Sequence, residues 1–171
     1  MLRLMGIFMI AAAVLALGFQ YSLNMRRRIK NLRLMQSILH MLRGEIGFSG
    51  RILEEAFADI SRRVAEPFGS FFKGVSREMQ ELKGAPLSEI WIQNEAAFER
   101  SGLKKEDLEL FRRLGNDLGF LDVDMQLCTL ELLEMQIKNA AGRLEESCEA
   151  SCKMYQSLGV LGALTVIVVM L

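Results

Sequence analysis

The three cysteines are the residues whose spacing comes nearest to a metal site. Cys148 and Cys152 are four residues apart, so both thiols lie on one face of a helix and could supply two metal ligands. No second pair of cysteines or histidines stands at ligand spacing, and Cys128 lies far upstream. We therefore expect small packing residues in a reducing compartment and predict no metal or cofactor. A thiol or metal sensor built on the three cysteines is the minor alternative.

Residue patterns that carry catalysis are absent from the sequence. It contains no G-x-x-x-x-G-K-[ST] phosphate loop, no nucleophile elbow and no H-E-x-x-H. The single histidine, His40, is expected to be packed or solvated rather than catalytic. Asp122 and Asp124 have the spacing of two EF-hand ligands, but the turn glycine and the twelfth-position glutamate are missing. Asp122 is therefore interpreted as a helix cap, and the chain is predicted not to be an enzyme.

A run of basic residues follows the first apolar segment and consists of Arg26, Arg27, Arg28, Lys30 and Arg33. The formal net charge of the whole chain is zero, and no aromatic residues interleave with this run, so a nucleic-acid interface is not favoured. Positive residues flank the cytoplasmic end of a membrane-spanning helix. The run therefore predicts a topology in which the N-terminus lies outside and the following residues lie inside, with the arginines available to lipid phosphates.

Both ends of the chain have the apolar character of membrane anchors. About 20 nearly uninterrupted apolar residues, from 4 to 23, cover the ~30 Å hydrocarbon core. A cleaved signal peptide would carry its charges before the apolar segment, where only Arg3 stands. Residues 155–171 are uncharged and span ~25 Å, enough with local thinning, although a buried core helix is an alternative. We expect an N-terminal anchor over residues 1–24 and a C-terminal transmembrane helix over 154–171.

These two anchors would form a membrane hairpin whose helices leave the bilayer side by side. Glu145, Glu146 and Glu149 precede the second anchor, opposite the basic run that follows the first. Lys30 and Glu149 lie at similar distances from the two anchors, so an ion pair between them is one hypothesis, and simple solvation of all these charges is the alternative.

Residues 25–153 predict a cytoplasmic bundle of helices without a sheet. The first helix of this bundle carries an apolar seam at alternating steps of three and four, formed by Leu32, Met35, Leu39, Leu42 and Ile46. Further helices are predicted after Ser49, from Pro67, from Pro86 through Phe98, over residues 104–119 and after Asp122. No glycine–proline break separates the last helix from the second anchor. The fold class is thus all-α, a helical-bundle cytoplasmic domain between two transmembrane helices.

In the order and spacing of these features the chain resembles the stage III sporulation protein AB family of spore-forming Firmicutes, over nearly its whole length. The positions that carry the resemblance are Leu39, Leu42, Glu45, Ile46, Phe48, Trp91, Leu114, Gly115, Leu118, Gly119, Asp122, Gln126, Lys153, Tyr155, Leu158, Gly159 and Gly162. One departure stands at Arg51, Ile52 and Leu53, where the family has Thr-Pro-Leu.

The resemblance implies a non-enzymatic component of the channel complex that links the mother cell and the engulfed forespore. The family is similar to the platform protein of type II secretion systems, which implies a scaffold whose partners are a secretion-type ATPase, other membrane proteins of the complex and membrane lipid. The implied location is the mother-cell membrane around the forespore, with two passes and a cytoplasmic central domain. No nucleic acid is implied, and a homo-oligomer is compatible with this role.

One further hypothesis follows from the residues themselves. A membrane-anchored coiled-coil adaptor of another system could use the seam from Leu32 to Ile46 as its partner surface. An adjacent gene for a P-loop ATPase would favour the scaffold over this adaptor.

Overall fold

A computed structural model of the chain contains α-helices, one short 3₁₀ turn and, in the part that it describes, no strand. The elements are α1 (Leu2–Gly47), α2 (Leu53–Arg63), α3 (Phe68–Glu81), α4 (Leu87–Gln93), the 3₁₀ turn (Glu95–Phe98), α5 (Lys105–Leu118) and α6 (Val123–Met170). Residues 20, 22–48, 52–81, 84–119 and 122–150 are described in full, and the rest of α1 and α6 only as helix. The predicted all-α helical bundle is confirmed.

The two predicted anchors lie at the outer ends of α1 and α6, outside the residues that are described in full. Within the described residues, no helix has a stretch that is both long and apolar enough to cross a bilayer. The membrane hairpin therefore stays a prediction. The last helix does run from Val123 to Met170 without interruption, as the absence of a glycine–proline break allowed.

The long helices α1 and α6 pack against each other in antiparallel directions. Near one end of the pair, a Cβ added at Gly47 would lie 3.3 Å from Cδ2 of Leu127, and towards the other end Arg33 pairs with Glu145. The predicted α1 seam is buried, with Leu39 1% and Ile46 6% exposed, and α6 contributes its own buried residues, Leu130, Leu133, Ile137 and Ala141. The seam is therefore the core of this bundle. The adaptor hypothesis, which made it a partner surface, is wrong on this point.

Helices α2 to α5 and the 3₁₀ turn surround a cluster of aromatic rings. Its members are all at most 2% exposed: Phe57, Phe68, Phe71, Phe72, Trp91, Phe98 and Phe111. The ring centroid of Trp91 lies 4.9 Å from those of Phe71 and Phe111, and most pairs in the cluster meet edge to face or tilted. Each such pair contributes ~0.5–1.5 kcal/mol beyond the burial of its area. The cluster thus joins five short elements that could not be stable alone.

The helix predicted from Pro86 through Phe98 is broken near its middle. Helix α4 ends at Gln93, and Asn94 donates from Nδ2 to the carbonyl oxygen of Ile90 over 2.9 Å. The same carbonyl oxygen also accepts the backbone N–H of Asn94, so the side-chain amide adds a second hydrogen bond at the end of the helix. The following residues then close into the 3₁₀ turn, which turns Phe98 towards the aromatic cluster.

The predicted cap of the last helix is confirmed. The Oδ1 atom of Asp122 accepts a hydrogen bond from the backbone N–H of Met125 over 3.1 Å, and its carbonyl oxygen accepts one from Gln126. A carboxylate here also complements the positive end of the helix dipole. The aspartate is a cap, with no role in calcium binding required to explain it.

The substitution Leu39→Asp is expected to destabilise the full-length protein by several kcal/mol, because it places an unpaired carboxylate in the centre of the α1–α6 seam. Thermal unfolding in detergent, followed by near-ultraviolet circular dichroism, measures the loss. The adjacent exposed position supplies a control, His40→Asp, which should melt like the wild type. Normal melting of Leu39→Asp would contradict the assignment of this seam to the core.

Candidate functional site

The basic residues at the start of the bundle have different environments, beginning with Arg28. Its Nε donates to Oδ2 of Asp107 over 2.7 Å and its Nη2 donates to Oδ1 over 2.8 Å. The two side chains are only 14% and 3% exposed. Oδ2 of Asp107 also accepts the backbone N–H of Lys104 at the beginning of α5. This bidentate pair therefore joins α1 to the first turn of α5, where a carboxylate is favoured by the helix dipole.

Arg33 forms the ion pair that connects α1 to α6. Its Nε donates to Oε1 of Glu145 over 2.9 Å, and its Nη2 donates to Oε2 over 2.7 Å. The side-chain hydrogen bond from Arg33 lowers the pKa of Glu145, and the same bond raises the pKa of Arg33. Opposite charges do pair between the two helices, but at these positions rather than at Lys30 and Glu149.

Two other basic residues of α1 open onto a cleft. Arg27 and Lys30 face Arg100, which stands in the connection between the 3₁₀ turn and α5. The cleft has a volume of about 340 Å³ and is lined by Arg27, Lys30, Asn31, Glu66, Pro67, Ala97, Arg100 and Ser101. Sequence analysis grouped the α1 cations as one run and missed Arg100, because nothing local connects residues so far apart in the chain. The lipid role predicted for the run stays a prediction.

The cleft wall opposite α1 is held by a buried hydrogen bond. Nδ2 of Asn31 donates to the carbonyl oxygen of Ser101 over 2.7 Å, and both residues are less than 9% exposed. Gly102 follows with φ +78°, a conformation that suits glycine, and a Cβ added there would lie 3.8 Å from the carbonyl oxygen of Asn24. The connection therefore lies directly against α1.

The family-like positions in α4 and α5 form a close contact between these helices. A Cβ added at Gly115 would lie 2.5 Å from Cγ of Trp91, so only glycine lets the indole pack on α5. Leu114 and Leu118 are at most 1% exposed on the same helix. Gly119 is the C-cap of α5, but its φ of −76° does not require glycine. The space beside it is tight, since an added Cβ would lie 3.3 Å from that of Leu87.

The remaining family-like positions connect other elements or lie outside the described residues. Nε2 of Gln126 donates to the carbonyl oxygen of Leu118 over 3.0 Å and thus ties the beginning of α6 to the end of α5. Glu45 lies 3.5 Å from Nη1 of Arg63, which connects α1 to α2. Tyr155 and Gly159 are in the part of α6 whose side chains are not described. Apart from Phe48, which is 96% exposed at the end of α1, the described family-like positions therefore act as packing, capping and connecting residues.

Helix α6 carries an exposed apolar stripe that sequence analysis missed. Met125, Leu132 and Met135 are 53%, 54% and 55% exposed, and Cys128 between them is exposed too. Their steps of three, four and three place all four on one face of the helix. The spacing is present in the sequence, but the larger apolar face of α6, formed by the buried Leu130, Leu133, Ile137 and Ala141, lies on the opposite side and dominates the pattern. The stripe is about 15 Å long, from the helical rise.

Cys128 lies far from Cys148 along α6. Cys128 and the half-buried Cys148 are twenty residues apart on one helix, which separates them by about 30 Å. The described part of the chain contains no group of three or more His, Cys, Asp or Glu side chains placed to hold a metal ion. A site that joins all three cysteines is therefore excluded by the geometry of the helix.

Comparison with known proteins supports a single family. A family model for "Stage III sporulation protein AB" matches residues 3–171. The stage III sporulation protein AB of Bacillus subtilis (strain 168) is 25% identical over 173 residues, and the match covers 100% of both chains. A solved structure of a stage III sporulation protein AB has a TM-score of 0.65 at 21% identity, covering 72% of this chain and 97% of that one. The solved structure has the same fold.

The substitution Gly115→Ala is expected to destabilise the protein by ~1–3 kcal/mol, because the new methyl group must displace the rigid indole of Trp91. The matched control is Gly142→Ala in α6, where an added Cβ meets nothing within 4 Å. That change should be neutral or stabilise by up to ~1 kcal/mol. Thermal unfolding of both variants measures the difference, and equal melting temperatures would argue against the close contact.

The substitution Arg33→Gln is expected to raise the pKa of Glu145 towards its ordinary value. Because the folded-state pKa is lowered, the pair stabilises the protein fully above the ordinary carboxyl pKa of about 4, and this stabilisation is lost as the pH falls through the folded-state value. Acid should therefore lower the melting temperature of the wild type more than that of the variant.

Titration of the Glu145 carboxyl carbon by NMR measures the pKa directly. The exposed Arg113 supplies the control, since Arg113→Gln removes the same charge from a different helix. An unchanged Glu145 titration in Arg33→Gln would show that the pair does not persist in solution.

Proposed function

The chain belongs to the stage III sporulation protein AB family, and on that basis we propose that it is a non-enzymatic membrane scaffold of the sporulation channel complex between mother cell and forespore. In this proposal two anchors hold the helical bundle on the cytoplasmic face of the mother-cell membrane around the forespore. A secretion-type ATPase binds the bundle, and other membrane proteins of the complex surround the anchors.

The antiparallel packing of α1 and α6 is the observation that carries the proposal. Because the two helices run in opposite directions, the N-terminal end of α1 and the C-terminal end of α6 leave the bundle on the same side. Those ends contain the apolar segments 4–23 and 155–171. A bundle with both apolar ends on one side has the geometry that a two-pass membrane hairpin requires, with the opposite side directed into the cytoplasm.

The exposed stripe on α6 supplies the surface that we propose for the ATPase. From Tyr155 at the second anchor, Met135 is about 30 Å and Met125 about 45 Å along the helix, so a cytoplasmic partner could reach the stripe without entering the headgroup layer. Methionine side chains adapt to irregular partner surfaces, and exposed apolar stripes bordered by polar residues are typical of binding sites. Asp124, Glu131 and Lys138 border this stripe.

The substitution Leu132→Asp tests this surface. The full-length protein in nanodiscs is titrated with the purified secretion-type ATPase encoded beside it, and binding is measured by interferometry. Loss of a central apolar contact is expected to weaken binding by about tenfold or more. The control is Ser37→Asp, which adds the same charge to an exposed position on α1.

Three outcomes decide the matter. Weaker binding by Leu132→Asp alone supports the proposed surface. Equal binding by both variants and the wild type places the ATPase elsewhere. If the wild type does not bind the ATPase and sedimentation shows that Leu132→Asp abolishes self-association, the stripe joins copies of this chain, and the ATPase proposal fails.

A further inference from the structure

We propose that the cleft formed by Arg27, Lys30 and Arg100 is a binding site for a phosphate-bearing anion, with the headgroup of an anionic phospholipid as the source that the position of the cleft favours. The choice of lipid over free phosphate rests on the membrane anchoring proposed above. The expectation that the cleft binds a phosphate-bearing anion rests on its own charges and does not depend on the anchoring.

The charges in the cleft are unbalanced. None of its three cations forms an ion pair with an acidic side chain among the residues that the structure describes, in contrast to Arg28 and Arg33 on the same helix. The one carboxylate of the lining, Glu66, is hydrogen-bonded to α3. Its Oε2 accepts hydrogen bonds from the N–H and the Oγ of Ser70. Three cations against one occupied carboxylate favour an anion in the space between them.

The shape of the cleft suits a small group rather than an extended chain. Its volume of about 340 Å³ is at the lower end of the ~300–1,000 Å³ of small-ligand sites. Arg100 is placed by the turn that follows it, in which Ser101 donates from Oγ to the carbonyl oxygen of Phe98 and accepts from the N–H of Leu103. The wall that carries the third cation is therefore fixed before a ligand arrives.

The depth of the cleft matches the level of lipid phosphates. Arg27 is four residues beyond Leu23, where the apolar segment ends, and Lys30 is seven residues beyond it. At ~1.5 Å per residue these positions lie about 6 Å and 10 Å along α1 from that point. The headgroup layer on each side of the hydrocarbon core is roughly 5–8 Å thick. The mouth of the cleft would thus meet the headgroups while its far side faces the cytoplasm.

Arg100 distinguishes a built site from a general attraction between the basic run and the membrane. It is far from the anchors in sequence, so it contributes nothing to the topology determined by juxtamembrane charges. Its planar guanidinium can donate two parallel hydrogen bonds to phosphate oxygens, with the α1 cations on the other side of the same group. Anion binding at a built site therefore requires Arg100, whereas general attraction of the membrane to the basic run does not.

The experiment uses the full-length protein in a neutral detergent. Isothermal titration calorimetry at low salt is carried out with three probes, namely short-chain phosphatidylglycerol, short-chain phosphatidylcholine and inorganic phosphate. We expect saturable binding of phosphatidylglycerol, weakened about fivefold in Arg100→Gln by the loss of one cation and only partly recovered in Arg100→Lys, which restores the charge without the paired donors. The control is Arg77→Gln, which removes an exposed arginine about 15 Å along α3 from Pro67 and should bind like the wild type.

The probes separate the two sources of phosphate. Binding of phosphatidylglycerol without inorganic phosphate identifies a lipid headgroup site, and binding of both identifies a general phosphate site. Absence of saturable binding by either anion overturns the proposal, as does equal affinity of wild type and Arg100→Gln when both melt at the same temperature. Carbonate extraction of native membranes tests the anchoring separately, so the anion site can fail while anchoring holds, or hold while anchoring fails.

Discussion

The rest of the fold depends on the antiparallel contact between α1 and α6. These two helices share the most extensive contact in the described part of the fold. Helix α2 packs against α1 and α5 against α6, while α3 and α4 are held mainly through α2 and α5. Leu32 to Ile46 on α1 and Leu130 to Ala141 on α6 exclude water from this contact. Burial of a large aliphatic side chain contributes ~1.5–3 kcal/mol, so the contact outweighs any exposed ion pair, including that of Arg33 and Glu145.

The α1–α6 contact could be predicted from the sequence because it rests on local periodicity. The steps of three and four in the α1 seam, and the aspartate before α6, specify a helix face and a helix start without knowledge of any distant residue. The break at Asn94 could not be predicted, since Trp91 and Phe98 are seven residues apart and would share one face of a continuous helix. In the structure they reach the same ring of Phe71 from the two sides of the break. The ion pair of Arg28 with Asp107 joins residues 79 positions apart, and local pattern does not specify such pairs.

The residues of the candidate site also fall into two groups: those that the sequence indicated and those that only the packed structure brings together. The resemblance pointed to Trp91, Gly115 and Gln126, and the structure shows that these residues hold α4, α5 and α6 together. These residues stabilise the fold, and the binding surfaces that we propose are formed by other residues. The proposed binding surfaces, the cleft at Arg100 and the stripe on α6, consist of residues that periodicity or charge brings together only once the helices are packed.

Helical geometry explains why the side chains of the basic run have different surroundings. Consecutive residues of an α-helix point about 100° apart, so three adjacent arginines cannot all face the same target. Arg28 is directed at α5, where burial makes its pair with Asp107 structural, while Arg27 is turned to the side that opens onto the cleft. Removal of Arg28 would leave a buried carboxylate unpaired and destabilise the bundle. Removal of Arg27 leaves no carboxylate unpaired among the described residues and is expected to change the charge of the cleft. Adjacent arginines in the sequence therefore specify both a contact that holds the bundle together and a cation of the cleft where we propose that an anion binds.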